Sequence, residues 1–188
     1  VMVCVDSTVQ VRYGLKQEGA ERGYNPTKPG RPSHHPLVAF LADAGDCLGV
    51  RWRPGSAHTA KGAVEWIELL VERLRSAGVE HISVRLDKGF WSRAMVEALE
   101  AMEVRYVLKV PDQPWVRTLL SPRRQSEKDE RLWTASGSMW GSRLLSVEQR
   151  EPLTDPGQLE LDTYRVAIRA HMLTNIEGIH AVTAWRTY

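Results

Sequence analysis

A chain of 188 residues can bury a substantial core, and its 43% hydrophobic and 26% charged content is that of a globular protein, which excludes wholesale disorder. A formal net charge of +2 singles out no partner. No apolar run of membrane-spanning length and no targeting segment is legible, so a cytoplasmic chain without a membrane partner is expected.

The first element is a strand over Met2–Val5, which Asp6 ends before Ser7 and Thr8. Next, "GLKQEGAERGYNPTKPGRPSHHP" is rich in Gly, Pro and charge and reads as a long irregular loop. "LVAFLADAGDCLGVRWRPG" reads as a hairpin turning at Ala44–Asp46. In "SAHTAKGAVEWIELLVERLRSAG" the apolar Val64, Ile67, Leu70, Val71 and Leu74 recur at helical spacing, and Gly78 supplies a stop. The stretch "HISVRLDKGFWS" follows, with Ile82, Val84 and Leu86 alternating against Ser83 and Arg85 as in a half-buried strand that ends on Asp87. Ser92 is placed to cap a helix reaching about Met102, with Met95, Val96 and Leu99 on one face. "VRYVLKVP" is a further strand.

Beyond Pro111 the texture changes. "SPRRQSEKDERLW" reads as a polar surface loop, while "LWTASGSMWGSRLLSVEQRE" and "YRVAIRAHMLTN" read as strands on either side of the turn-rich "PLTDPGQLELD". The order predicts an α/β fold: a mixed sheet with helical crossovers over 1–111, and a β-rich region over 112–188. Cys4 and Cys47 lie in apolar strand-like runs without metal-binding spacing and read as buried free thiols.

Asp6 and Asp87 raise the chemical question, because each follows a buried strand. Turn residues are the plain reading. In α/β sheets, however, functional side chains gather outside the carboxyl ends of strands. Two carboxylates side by side repel unless protonated or bridged by a cation, and Mg²⁺ suits such a pair. Bound there, it supports phosphoryl transfer.

The same residues carry a family resemblance. "VDSTV", the Gly/Pro-rich loop before "HHPL", the hairpin ending "RPGSAHTA", and "RLDKGF" together resemble bacterial DDE transposases of the IS4-like superfamily, and its IS1380 group in particular. The resemblance runs over essentially the whole chain. It implies an RNase H-like core with a β-rich insertion, a Mg²⁺ or Mn²⁺ cofactor, and cleavage and strand transfer at transposon ends. It also implies double-stranded DNA as partner, a homodimer when DNA-bound, and a bacterial, nucleoid-associated location. Asp6 and Asp87 match the first and second catalytic, metal-binding aspartates. The third member of the family's set is a glutamate in a Tyr-x-x-Arg-x-x-x-Glu pattern, whose tyrosine matches Tyr188. The rest of that pattern would follow the last residue, so a truncated domain is expected, inactive as this piece alone. The alternative is a catalytically inactive DNA-binding or regulatory remnant lacking the third carboxylate.

Other residues carry weaker expectations. Lys28 and Arg31 could meet phosphates or be plainly solvated. Arg51 and Arg53 are expected to share one strand face, lining DNA or merely exposed. Lys88 could contact the scissile phosphate. Trp140 could stack on an extruded base, and Tyr188 is counted among the DNA-facing residues. Adjacent His34 and His35 should point to opposite sides, which favours packing or hydrogen bonding over metal binding. Trp66 reads as packing and Glu177 as a loop carboxylate.

Overall fold

The computed structural model describes residues 1–14, 17–127, 129–152 and 164–188. The chain divides into two compact units, Val1–Tyr106 and Val107–Tyr188.

In the first unit, β1 (Met2–Ser7) lies between β5 (Leu37–Leu41), antiparallel to it, and β7 (Ser83–Leu86), parallel to it. β6 (Cys47–Arg51) pairs antiparallel with β5 through the expected hairpin. Val3, Val5, Val84 and Leu86 are buried, as the alternation requires. Helix α1 (Ala63–Ser76) buries Trp66, Ile67, Leu70 and Val71. It stops at Gly78, whose φ of 83° lets the Gly78 and Val79 N–H groups close back on Arg75 and Leu74. Helix α2 (Arg93–Ala101) starts at Ser92, whose Oγ accepts from the Met95 N–H at 3.1 Å.

The long Gly/Pro-rich stretch is not wholly irregular. Within and beside it, β2 (Gln10–Val11), β3 (Glu21–Arg22) and β4 (Pro32–His34) form a separate three-stranded sheet in the order β2-β4-β3. These strands are two or three residues long and mostly polar, so no hydrophobic alternation announces them. Two further expectations are corrected here. β1 runs on through Asp6 and Ser7, because both stay paired with β5. Cys47 is exposed rather than buried and Cys4 is half-buried, both free, because Cys47 opens β6 at the end of this unit's strand order.

In the second unit the strands run β8-β12-β11-β10-β9, each neighbour antiparallel. They are β8 (Arg105–Val110), whose first two residues belong to the first unit, β9 (Arg124–Ser126), β10 (Asp129–Met139), β11 (Ser142–Pro152) and β12 (Tyr164–Thr174). The polar stretch expected as a loop therefore contributes β9 and the start of β10, held by backbone pairing that polar side chains do not hinder. The turn expected between β11 and β12 falls mostly on 153–163, outside the described residues. Short α3 (Pro114–Thr118) follows β8. α4 (Ala181–Arg186) packs Ala181, Val182 and Ala184 onto Leu132, Leu145, Val147 and Met172. Among the described residues, no helix is long and apolar enough to cross a membrane.

Candidate active site

The register of β1 and β7 sets the site. Val5 pairs with Leu86, so Asp6 and Asp87 stand one residue further along two neighbouring parallel strands. Both strands bury the preceding residue and release the aspartate toward solvent: Asp6 is exposed and Asp87 half-buried. The chain then turns away at Asp87, where the Phe90 N–H bonds to the Asp87 carbonyl at 3.0 Å and a 3₁₀ turn covers Lys88–Phe90. Lys88 is exposed on that turn.

Asp6 is oriented by its own chain, since the Ser7 N–H donates to Asp6 Oδ1 at 2.7 Å. Ser7 is held in turn. Its Oγ lies 2.7 Å from His35 Nε2 and accepts from Arg53 Nη2 at 3.1 Å. His35 is buried, and its Nδ1 faces the Ala57 carbonyl at 2.7 Å. A carbonyl can only accept, so Nδ1 carries the proton and Nε2 accepts from the Ser7 hydroxyl.

Arg53 gathers this part of the chain. It donates through Nε to the His35 carbonyl at 2.8 Å, and through Nη1 to the carbonyls of His58, Thr59 and Lys61 at 3.2, 2.9 and 2.7 Å. It is only 7% exposed. Burial, and then the charge of Arg51, pull its pKa below the usual guanidinium range. The expectation that Arg51 and Arg53 share one exposed face is therefore not met. The strand ends at Arg51, which stays exposed and donates to the Gly62 carbonyl at 2.8 Å, while Arg53 turns inward to the carbonyls. Its donors are committed to the protein.

His34 and His35 point to opposite sides: His34 packs edge-on against Trp52 at 5.5 Å, and His35 enters the Ser7–Arg53 network. On the small sheet's side of the unit, Lys28 bonds to the Tyr13 hydroxyl and lies 4.8 Å from its ring centre, with Arg31 at 5.4 Å. The Lys28 hydrogen bond and charge lower the Tyr13 pKa. Arg12 sits over Trp52 at 5.8 Å.

The second unit carries the remaining candidates. Trp140 and Gly141 form the two-residue turn between β10 and β11 with φ of 54° and 86°. Asn or Gly is the usual occupant of such a turn, so a tryptophan there is held in a costly conformation at an exposed hairpin tip. Tyr188 follows α4. Its hydroxyl donates to the Val107 carbonyl at 2.8 Å, and Lys109 sits 4.1 Å above its ring. Glu177 is an exposed turn residue.

Sequence reasoning missed the ionic network of this unit. Buried Glu148 takes Arg150, Arg169 and Arg123 at 2.7, 2.9 and 3.1 Å. Burial opposes its charge, but the three guanidinium groups together hold its pKa below the usual carboxylate range. Arg150 lies two residues along the same strand, but no local pattern brings Arg123 and Arg169 to Glu148.

The donor set of Asp6 and Asp87 consists of carboxylate oxygens at neighbouring strand ends, open on the solvent side. It fits a hard divalent cation such as Mg²⁺ or Mn²⁺, which completes its shell with water and phosphate oxygens. Among the described residues, no group of three or more His, Cys, Asp or Glu is arranged to hold a metal.

An α/β domain whose mixed sheet presents acidic residues at adjacent parallel strand ends defines the class. The chain belongs to the transposase DDE domain group 1 family, whose model matches residues 1–142. A cryo-EM structure of a piggyBac transposase synaptic complex with hairpin DNA is similar in fold, with a TM-score of 0.52 at 15% identity. That likeness covers 97% of this chain but 35% of the other. The α/β, RNase H-like fold expected from the sequence is thus the one observed. No curated protein matches the chain by sequence.

Proposed function

We propose that the chain carries the catalytic core of a DNA transposase of the IS1380 kind, cleaving phosphodiesters at transposon ends. The observation that carries this reading is the in-register delivery of Asp6 and Asp87 by two neighbouring parallel strands. Family membership and the shared fold support it.

In this reading Asp6 and Asp87 would hold Mg²⁺ or Mn²⁺. A divalent cation there supplies charge neutralisation at the scissile phosphate and a water of lowered pKa. The protein's own part is to deliver the two carboxylates at neighbouring strand ends and to keep their outer side open to DNA. Hydrolysis joins a water oxygen to phosphorus as the P–O3′ bond breaks, leaving a 3′-hydroxyl. That hydroxyl then attacks a target phosphodiester, forming a new P–O3′ bond as the target strand's own 3′-oxygen leaves and takes up the proton. Lys88, exposed one residue past Asp87, would neutralise the phosphate in this reading. Lys28, Arg31 and Arg51 contact the DNA backbone, and Trp140 and Tyr188 contact DNA from the second unit. Double-stranded DNA bridges two copies, and the protein works in the cytoplasm on the nucleoid.

The test is made in the whole protein. Asp6→Ala and Asp87→Ala should each abolish cleavage of a transposon-end duplex, with binding of that duplex kept within a few-fold. Retained cleavage in either variant sinks the assignment.

A further inference from the structure

The network behind Asp6 does more than fill the core. We propose that Ser7, His35 and Arg53 are positioning residues that fix the Asp6 carboxylate, and its placing against Asp87, for divalent-cation binding. This rests on the metal-binding reading of the two aspartates given above.

The chain of hydrogen bonds is continuous. Asp6 Oδ1 accepts from the Ser7 N–H, so the carboxylate's orientation depends on how the Ser7 peptide is held. Backbone pairing holds one side of that peptide: Ser7 lies opposite Leu37, and the Thr8 N–H donates to the Pro36 carbonyl at 3.1 Å. The Ser7 side chain holds the other, with its hydroxyl donating a hydrogen bond to His35 Nε2 and accepting one from Arg53. A serine beside a histidine also suggests a nucleophile. Here the Ser7 oxygen is already engaged by a cationic donor and faces a buried ring, which suits a strut better than an attacking group.

The same network reaches the second aspartate. Arg53 and His35 bind four carbonyls of the 57–61 segment: Ala57, His58, Thr59 and Lys61. From that segment the Thr59 side chain packs against Gly89, two residues past Asp87. A Cβ at Gly89 would lie 2.7 Å from Thr59 Cγ2, so the turn after Asp87 packs closely on the Thr59 side chain. One buried guanidinium and one buried imidazole thereby tie the end of β1 to the end of β7. A cation bridging two carboxylates needs their separation fixed to a fraction of an ångström. Outer-shell partners of metal ligands commonly supply this.

The experiment is a Mn²⁺ titration of the whole protein, followed by the loss of the free Mn²⁺ EPR signal, without DNA turnover. It compares wild type, Asp6→Asn, Ser7→Ala, Ser7→Thr and Ser7→Val at a temperature where circular dichroism shows all of them folded. Thr and Val are matched in shape and differ in the hydroxyl. Ser7→Ala and Ser7→Val should weaken Mn²⁺ binding by about tenfold, while Ser7→Thr stays within about twofold of wild type. Equal affinities for Ser7→Thr and Ser7→Val, or wild-type affinity in Ser7→Ala, overturn the positioning role and leave the metal site standing. Wild-type affinity in Asp6→Asn overturns the metal reading itself, and this proposal with it. Should Ser7→Val not fold, Ser7→Ala against Ser7→Thr decides.

Discussion

Asp112 shows how one residue sets the acid response of the second unit. Its carboxylate takes a two-pronged contact from Arg117 at 2.6 Å on each oxygen, and one from buried His171 Nε2 at 2.9 Å. Arg117 first, and His171 after it, hold its pKa well below the usual carboxylate range. His171 shifts the other way from a paired histidine. Burial pulls its pKa down, and Asp112 restores only part of it. The two groups act on stability in the same direction. His171 is kept neutral in the fold, so the unfolded chain takes up more protons as pH falls below about 6.5, which costs stability. Asp112 adds its contribution above the unfolded value of about 3.9, and that contribution drains away below it as the folded carboxyl protonates. Asp112 and Arg117 are partly exposed, which limits the ion pair's worth. Asp112→Ala should therefore cost about 1–2 kcal/mol at pH 7 in urea unfolding of the chain. The gap to wild type should shrink below about pH 4. A gap that widens below about pH 4 contradicts the sign.

At the scale of elements, the small sheet β2-β4-β3 depends on close approach of backbones rather than on burial of large side chains. Gly55 is one such approach: a Cβ there would lie 2.1 Å from the Ser33 carbonyl oxygen and 2.3 Å from that of Glu21. Those two carbonyls belong to β4 and β3, so Gly55→Ala must push the sheet off the turn that carries Arg53. A cost of roughly 1–3 kcal/mol in urea unfolding is expected, with faster proteolysis in the 17–36 stretch. Gly30→Ala is the comparison. Nothing lies within 4 Å of its added Cβ, and only the φ of 78° is strained. It should cost about 1–2 kcal/mol and leave proteolysis unchanged. Equal protease sensitivity in the two variants would mean that the close approach at Gly55 is not what holds the sheet.

This element also marks where sequence reading stops. β1, β7, α1 and α2 are legible because each buries one face at a fixed period: Val3 and Val5, Val84 and Leu86, Met95, Val96 and Leu99. β3, β4 and β9 are not, since Glu21, Arg22 and Arg124 contribute backbone pairing and no apolar stripe. The site divides the same way. Asp6 and Asp87 are visible as carboxylates after apolar runs, but their register is a pairing between distant parts of the chain that no local pattern encodes. "HHPL" and "RPGSAHTA" stand out in the sequence, yet nothing local says that His35 and Arg53 close on Ser7. An arginine between a tryptophan and a proline looks solvent-facing until the carbonyls around it are known.

For the molecule as a whole, the formal charge of +2 is too small to draw DNA by its overall field. In the proposed function, affinity for DNA comes from local cations, and their settings differ. Lys28 and Arg31 are exposed and lean on the Tyr13 ring, which holds them outward with little loss of charge to acidic partners. Arg53 carries the same charge but spends its donors inside the protein. Salt dependence separates the two cases, because each phosphate that a cation no longer neutralises flattens the slope of log K against log[salt] by about 0.9 on duplex DNA. In the whole protein, Lys28→Ala with Arg31→Ala should therefore flatten that slope by about 2 and weaken binding to any duplex alike. Arg53→Lys should leave the slope at the wild-type value and lower the urea midpoint instead, since one ammonium cannot serve five oxygens on separate segments. An unchanged slope in the double variant would place the DNA backbone elsewhere on the protein. A flattened slope in Arg53→Lys would mean that the buried guanidinium turns outward when DNA binds.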